Sequence, residues 1–314
     1  MGRRGDRAVT GRERVPRPRW AVYLRTALGA VAVAVPVWTA VRWWAVLAAG
    51  HPAYPLLLLA VAAVGAVLLA RRRRPVRTGR VRGAGRVTGA LLLVALVAVA
   101  VWLRPYPADA VDTGPVDVVH RADAWELRPR GPASGVGVVF HPGALVDPRA
   151  YLPLLAPLAE QGAVVVVPAP PLGLALTGPG ATARAVAALP GTRTWVVGGH
   201  SMGGVAAARA VDVPGVRGLL LWASYPAGDL SGAPVAALSV SGSRDGLATP
   251  DTIAASRSLL PARTRFVEVA GGVHAYFGDY GAQSGDGVPG VDRAGAQQEI
   301  VAETTAFVRA LRPY

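Results

Sequence analysis

Three apolar stretches fill most of the first 104 residues, and they restrict what this chain can fold into more than any motif in it. Trp20 to Val41 is broken only by Arg25 near its start, Pro52 to Ala70 carries no charge, and Val87 to Leu103 carries none either. Each approaches the roughly 20 residues that a helix needs to cross the hydrocarbon of a bilayer. None keeps the polar face that a helix on a water-soluble domain turns to solvent. Membrane insertion is therefore the reading, with three spans, or two if the first run is re-entrant. A cleaved leader fits poorly, because two further apolar runs follow the first.

The charge divides in the same place. Every one of the 33 basic residues is Arg, and the chain carries a formal net charge of +14. Residues 1–104 hold 18 Arg against Asp6 and Glu13, whereas residues 105–314 hold 15 Arg against 17 acids. The basic character thus belongs to the apolar part, which argues for flanked membrane segments rather than for a nucleic-acid surface. The expected organisation is a basic tail (1–19), a membrane anchor (20–104, spans 20–41, 52–70 and 87–103), a linker (105–115) and a folded domain (116–314). Arg is dense in the tail and in the 71–86 loop, which three spans place on one side. The positive-inside rule makes that side cytoplasmic. The expected location is a multi-pass membrane protein with its folded domain on the extracytoplasmic side. The lipid bilayer is then a partner, and nucleic acid is not. Arg42-Trp43-Trp44 suits the interface between lipid and water. Cysteine is absent, so neither a disulfide framework nor a thiol nucleophile is available.

Beyond Pro105 the pattern changes to short apolar runs alternating with helical segments. Strands are predicted over 135–140, 163–168, 194–197, 218–222, 235–240 and 264–269, with one or two edge strands within 116–130. Helices are predicted over 147–161, 179–189 and 294–311, with another starting at Thr249-Pro250. Asp147 followed by Pro148 reads as a helix cap. Alternation of this kind implies an α/β fold with a mostly parallel sheet covered by helices on both faces.

Thr194 to Val211 is the informative stretch of that domain. A β-branched and aromatic run leads into Gly199-His200-Ser201-Met202-Gly203, and an Ala-rich helix follows. In a strand–turn–helix context, G-x-S-x-G is a nucleophile elbow. Two further loops follow strands: Ser241-Gly242-Ser243-Arg244-Asp245-Gly246 and Gly271-Gly272-Val273-His274. Ligands of such sheets bind beyond the carboxyl ends of strands. The order Ser201, Asp245, His274 supplies a nucleophile, an orienting carboxylate and a base. Asp251 reads better as a first-turn helix residue, and Asp279 as part of the loop after the histidine. For the oxyanion, the Met202 N–H needs a second donor from the loop after Phe140. Pro142 has none to give, which leaves Gly143, or Ala144 as the runner-up. His141 is expected to support that loop and to border the substrate with Tyr225, Tyr276 and Phe277. His200 reads as a packing neighbour of the serine. The Gln283–Gly287 loop misses the EF-hand spacing and reads as a flexible rim. No metal and no cofactor are expected.

The blocks FHPGALVDPRAYLPLLAPLAEQG, GGHSMGGVAAARA, SGSRDGLATP and GGVHAYFGDYG, in that order, resemble the compact α/β-hydrolases of the dienelactone-hydrolase-like type. The resemblance covers about residues 116–312. It implies an α/β-hydrolase fold with Ser201, Asp245 and His274 as the triad. Dienelactone hydrolases themselves use cysteine, so here the resemblance implies a serine esterase. Only about ten residues separate Ser224 from Val235, which leaves no room for a lid there. The expected activity is hydrolysis of small-molecule carboxylic esters or thioesters through an acyl-enzyme. Acyl transfer by the same triad and a catalytically silent, membrane-anchored binding domain are the alternatives.

Overall fold

A computed structural model describes residues 19–74, 80–109 and 111–313. Most of the basic tail, with Arg77 and Thr78 of the basic loop, lies outside the described residues. The chain divides into two compact units, Met1–Trp38 with Leu58–Val101 and Thr39–Leu57 with Trp102–Tyr314.

The first unit holds most of three long helices, α1 (Arg19–Arg42), α3 (Ala53–Ala70) and α4 (Arg80–Trp102). All three are long and apolar enough to cross a membrane. The third begins earlier than the apolar run predicts, at Arg80, although Gly83 and Gly85 are weak helix formers. Within this unit α1 and α3 approach through glycine: a Cβ on Gly65 would lie 2.8 Å from Gly29 O and 2.9 Å from Ala32 Cβ. Small residues at a crossing are what lets apolar helices pack without a water-driven hydrophobic force. Arg25 Nη1 donates to Arg71 O and Arg74 O at 3.3 and 3.1 Å, in the turn that follows α3.

The second unit is an eight-stranded sheet in the order β1-β2-β4-β3-β5-β6-β7-β8. Its strands are β1 (Asp117–His120), β2 (Ala124–Arg128), β3 (Val136–His141), β4 (Val164–Pro168), β5 (Thr194–His200), β6 (Val216–Trp222), β7 (Ala236–Gly242) and β8 (Arg265–Val269). Strands β1 and β2 pair antiparallel at one edge, β2 pairs antiparallel with β4, and the remaining pairs are parallel. The central strands are buried on both faces, as β-branched runs such as Val164–Val167 require. One face packs Val138, Phe140, Leu220 and Val240 against α5 (Leu152–Glu160) and α9 (Arg293–Ala310). The other packs Val139, Val197, Leu219 and Leu221 toward α6 (Ala181–Ala188) and α7 (Met202–Ala208). A further helix, α8 (Pro250–Ala255), follows β7 and is capped by Thr249. Asp147 caps the 3₁₀ turn before α5, accepting from Arg149 N, as the sequence predicts.

Two features of this unit are absent from the linear partition. The segment 39–57, including the short helix α2 (Trp44–Ala49), belongs with the sheet, and Trp125 Nε1 donates to Ala49 O at 3.1 Å. The linker is stitched down as well. Tyr106 N donates to Leu145 O at 2.7 Å, Asp147 N donates to Tyr106 O at 2.9 Å, and Asp109 N donates to Asp279 O at 2.9 Å. A Pro/Asp-rich composition predicts a free connector, but backbone groups along an extended segment pair with whatever edge they pass.

Candidate active site

Strand β5 ends at His200 and helix α7 begins at Met202, so Ser201 alone makes the turn, at φ 53° and ψ −124°. That is a strained conformation for a residue with a Cβ, held by its surroundings. Ser201 N donates to Trp222 O at 3.0 Å, while Ser201 O accepts from Ser224 Oγ at 2.6 Å and from Gly204 N at 3.0 Å. The flanking glycines are steric necessities. A Cβ on Gly203 would collide with His141 O, and one on Gly199 with the backbone of Gly203.

Asp245 and His274 stand beyond the ends of β7 and β8 and are both buried. His274 Nδ1 and Asp245 Oδ2 are 2.8 Å apart. The other carboxylate oxygen accepts from Leu247 N at 2.8 Å and Ala248 N at 2.7 Å. A carboxylate accepts at Nδ1, so the imidazole hydrogen sits there and the Nε2 lone pair is left for chemistry. Nε2 is buried and has no hydrogen-bond partner among the described residues. Asp279, in the loop after the histidine, faces Arg293 at 3.4 Å, and Asp251 lies in the first turn of α8.

The loop expected to be a flexible rim is a clamp. Asp286 accepts from His274 N (3.0 Å), Ala275 N (2.8 Å), Gly246 N (3.2 Å) and Gly287 N (2.7 Å). One carboxylate thus ties the acid loop to the histidine loop. Sequence reading misses it because the bonds are to backbone amides, which no residue pattern announces.

The loop after β3 separates the two candidate oxyanion donors. Gly143 N donates to Tyr151 Oη at 2.9 Å, so the first choice is already engaged. The Ala144 N–H enters no hydrogen bond among the described residues, nor does that of Met202. Tyr151 Oη also lies 2.9 Å from His200 Nδ1. The phenol accepts from Gly143 N and pairs with His200 Nδ1, whose donor or acceptor role depends on the imidazole tautomer. Burial first, and then the neighbouring His274, hold His200 well below the ordinary histidine range. Its ring centroid is 4.5 Å from that of His274, so it is a neutral packing partner of the base.

Of the four expected substrate neighbours, two are not available to a ligand. His141 is buried, donor or acceptor to Thr182 Oγ1 at 2.8 Å, and burial lowers its pKa to about 4. Phe277 is fully buried and lies parallel to His200 with centroids 6.0 Å apart. Aromatic residues next to a catalytic loop read as lining, but these fill the core beneath it. Tyr225 is exposed directly after Ser224, and Tyr276 is half-buried under the Arg293 guanidinium, 5.4 Å from its ring. No group of three or more His, Asp and Glu able to hold a metal occurs among the described residues.

The family match agrees with this architecture. The sequence model of the alpha/beta hydrolase family matches residues 137–298, just over half of the chain. No curated protein matches. Among solved structures, an alpha-beta serine hydrolase homologue from Coxiella burnetii is 17% identical, covers 65% of this chain and 100% of its own, and superposes with a TM-score of 0.44. The esterase domain of a Rhodothermus marinus protein is 14% identical over 63% of this chain and 99% of its own, with a TM-score of 0.47. A serine hydrolase without a lid from Xanthomonas campestris is 15% identical over 66% of this chain and 99% of its own, with a TM-score of 0.46.

Proposed function

The chain belongs to the alpha/beta hydrolase family, and from that premise we propose that it is a membrane-anchored serine hydrolase of carboxylic esters or thioesters. The observation that carries the reading is the buried Asp245–His274 pair with Nε2 of His274 unpaired, packed against the residue that precedes a strained Ser201. In this reading His274 Nε2 takes the proton of Ser201 Oγ as the hydroxyl attacks the substrate carbonyl. The tetrahedral oxyanion is met by the N–H groups of Met202 and Ala144, because Tyr151 holds that of Gly143. The imidazolium, stabilised by Asp245, then protonates the leaving alcohol or thiol, and the acyl group stays on Ser201. Water, deprotonated by His274, attacks the acyl-enzyme; the Oγ–acyl bond breaks, His274 returns its proton to Ser201 Oγ, and the acid is released.

The anchor is the set of three apolar helices, and the arginine distribution supports a hydrolase domain outside the cytoplasm. Labelling with a fluorophosphonate and turnover of short p-nitrophenyl esters test the mechanism. Wild-type protein is expected to label covalently, and Ser201→Ala to lose both labelling and turnover, the latter by about 10⁴-fold or more. Full turnover in the alanine variant would remove the serine mechanism.

A further inference from the structure

From Pro105 onward, the large apolar side chains exposed among the described residues are Val111, Val118, Leu176, Tyr225, Leu247 and Val288, and the last four share one edge. Leu176, Tyr225, Leu247 and Val288 lie in the connections that leave the carboxyl ends of β4, β6, β7 and β8, the edge where Ser201 stands. Val288 is 78% exposed. It belongs with the acid loop, since Arg244 Nη1 donates to Val288 O at 3.5 Å, and a Cβ on Gly285 would lie 3.3 Å from Leu247 Cδ2. Exposed apolar groups concentrated on one edge mark a surface that something apolar covers.

What covers it follows from how the chain enters this unit. Helix α4, apolar enough to cross a membrane, ends at Trp102, and Tyr106 is already bonded to Leu145 and Asp147 beside the oxyanion loop. Four residues extend at most about 14 Å, so the catalytic edge begins within that distance of the end of a span. The segment 43–55 leads to the same place. Arg42 and Arg104 both lie over the Trp43 ring, at 5.4 and 5.8 Å, and Trp44 and Trp102 are exposed, an aromatic and basic set of the kind found where lipid meets water. Val46 to Pro55 then border one cavity together with Leu145–Pro148 and Ala169–Gly173, the loops that leave β3 and β4.

We propose that the catalytic edge is docked on the bilayer surface and draws its ester from there, which makes the substrate class amphiphilic esters resident in the membrane. The substrate half of this inference rests on the serine-hydrolase reading, whereas the docking half does not. The absence of cysteine allows a direct test in full-length protein reconstituted in phosphatidylglycerol–phosphatidylethanolamine vesicles. A bimane fluorophore on Val288→Cys is expected to lose about half its emission or more when the acyl chains are brominated, because an apolar side chain there would enter the acyl boundary. The same fluorophore on Ala262→Cys, exposed before β8 at the opposite edge, is expected to be unaffected. In the same vesicles, Leu247→Asp with Val288→Asp should lower the rate on 4-methylumbelliferyl oleate relative to the butyrate by about tenfold. Fluorophosphonate labelling of that variant reports separately whether Ser201 still reacts. Equal quenching at 288 and 262, no quenching at 288, or an unchanged oleate-to-butyrate ratio would overturn the proposal. Loss of labelling in wild-type protein would instead remove the serine reading and leave the quenching result to stand.

Discussion

Buried polar side chains next to Ser201 decide the geometry of the site, and each can be tested singly. Asp245 accepts from His274 and from two backbone amides, so Asp245→Asn would favour the wrong imidazole tautomer; turnover should fall by about 10⁴-fold. Asp279→Asn should leave turnover within about threefold, because surface ion pairs such as Asp279–Arg293 contribute little. The reverse ranking would show that the acid has been misassigned. Tyr151→Phe leaves Gly143 N–H and His200 Nδ1 without their buried partner. A loss of about 1–3 kcal/mol in stability is expected from urea unfolding. It should come with a fall in kcat larger than any change in KM, since the loop that carries Ala144 would be freed. His141 gives the protein an acid sensitivity. Its pKa falls from 6.5 to about 4 on burial, so the unfolded chain binds a proton that the folded chain refuses. Stability therefore drops as pH falls through that window and levels off below it, a change on the order of 3 kcal/mol. His200 acts with the same sign. Unfolding midpoints between pH 7 and 4 should slope less in His141→Gln, and an identical slope would assign the acid sensitivity elsewhere.

At the scale of elements, the strap from Pro105 to Asp109 matters most. Its backbone bonds reach the oxyanion loop through Leu145 and Asp147, and the histidine loop through Asp279. A soluble truncated chain beginning near Ala108, the natural cut from composition, would discard Tyr106 and two of those bonds. Chains beginning at Pro105 and at Val111 should therefore differ, with the shorter one less stable by about 1–3 kcal/mol and less active on water-soluble esters. Equal melting and turnover would show that the strap is decoration. Among the three apolar helices, Gly65 admits no side chain against Gly29 O. Gly65→Leu should separate α1 from α3 and lower the yield of folded protein in detergent, whereas Gly89→Leu, with open space around its Cβ position, should not.

At the scale of the molecule, three membrane crossings would alternate and so would put the end of α1, the start of α3 and the end of α4 on one side. The sign of that side rests on the arginines. Membrane-impermeant maleimide applied to intact cells should label Ser284→Cys, which is exposed, and should label Thr78→Cys only after the cells are opened. The opposite pattern would put the hydrolase domain in the cytoplasm.

The sequence by itself determined the things that depend on neighbours along the chain. Short continuous apolar runs located the parallel strands to within a few residues, because strands buried on both faces are apolar at nearly every position. The elbow was legible because G-x-S-x-G between a strand-like run and an Ala-rich helix is a local pattern, and Asp245 and His274 were legible because each follows such a run in chain order. The same locality located three apolar helices and the cap at Asp147. What needed the tertiary structure were contacts between parts distant in sequence that use atoms every residue possesses. Gly143 and Ala144 differ as donors only because a tyrosine hydroxyl eight positions away claims one of them. Asp286 holds the catalytic loops through backbone amides, and Phe277 and His141 are buried by packing that their own neighbourhoods do not foretell. The strap at 105–109 and the grouping of 39–57 with the sheet are of the same kind: backbone N–H and C=O groups are satisfied by proximity, and proximity between distant segments is set only when the whole chain has folded.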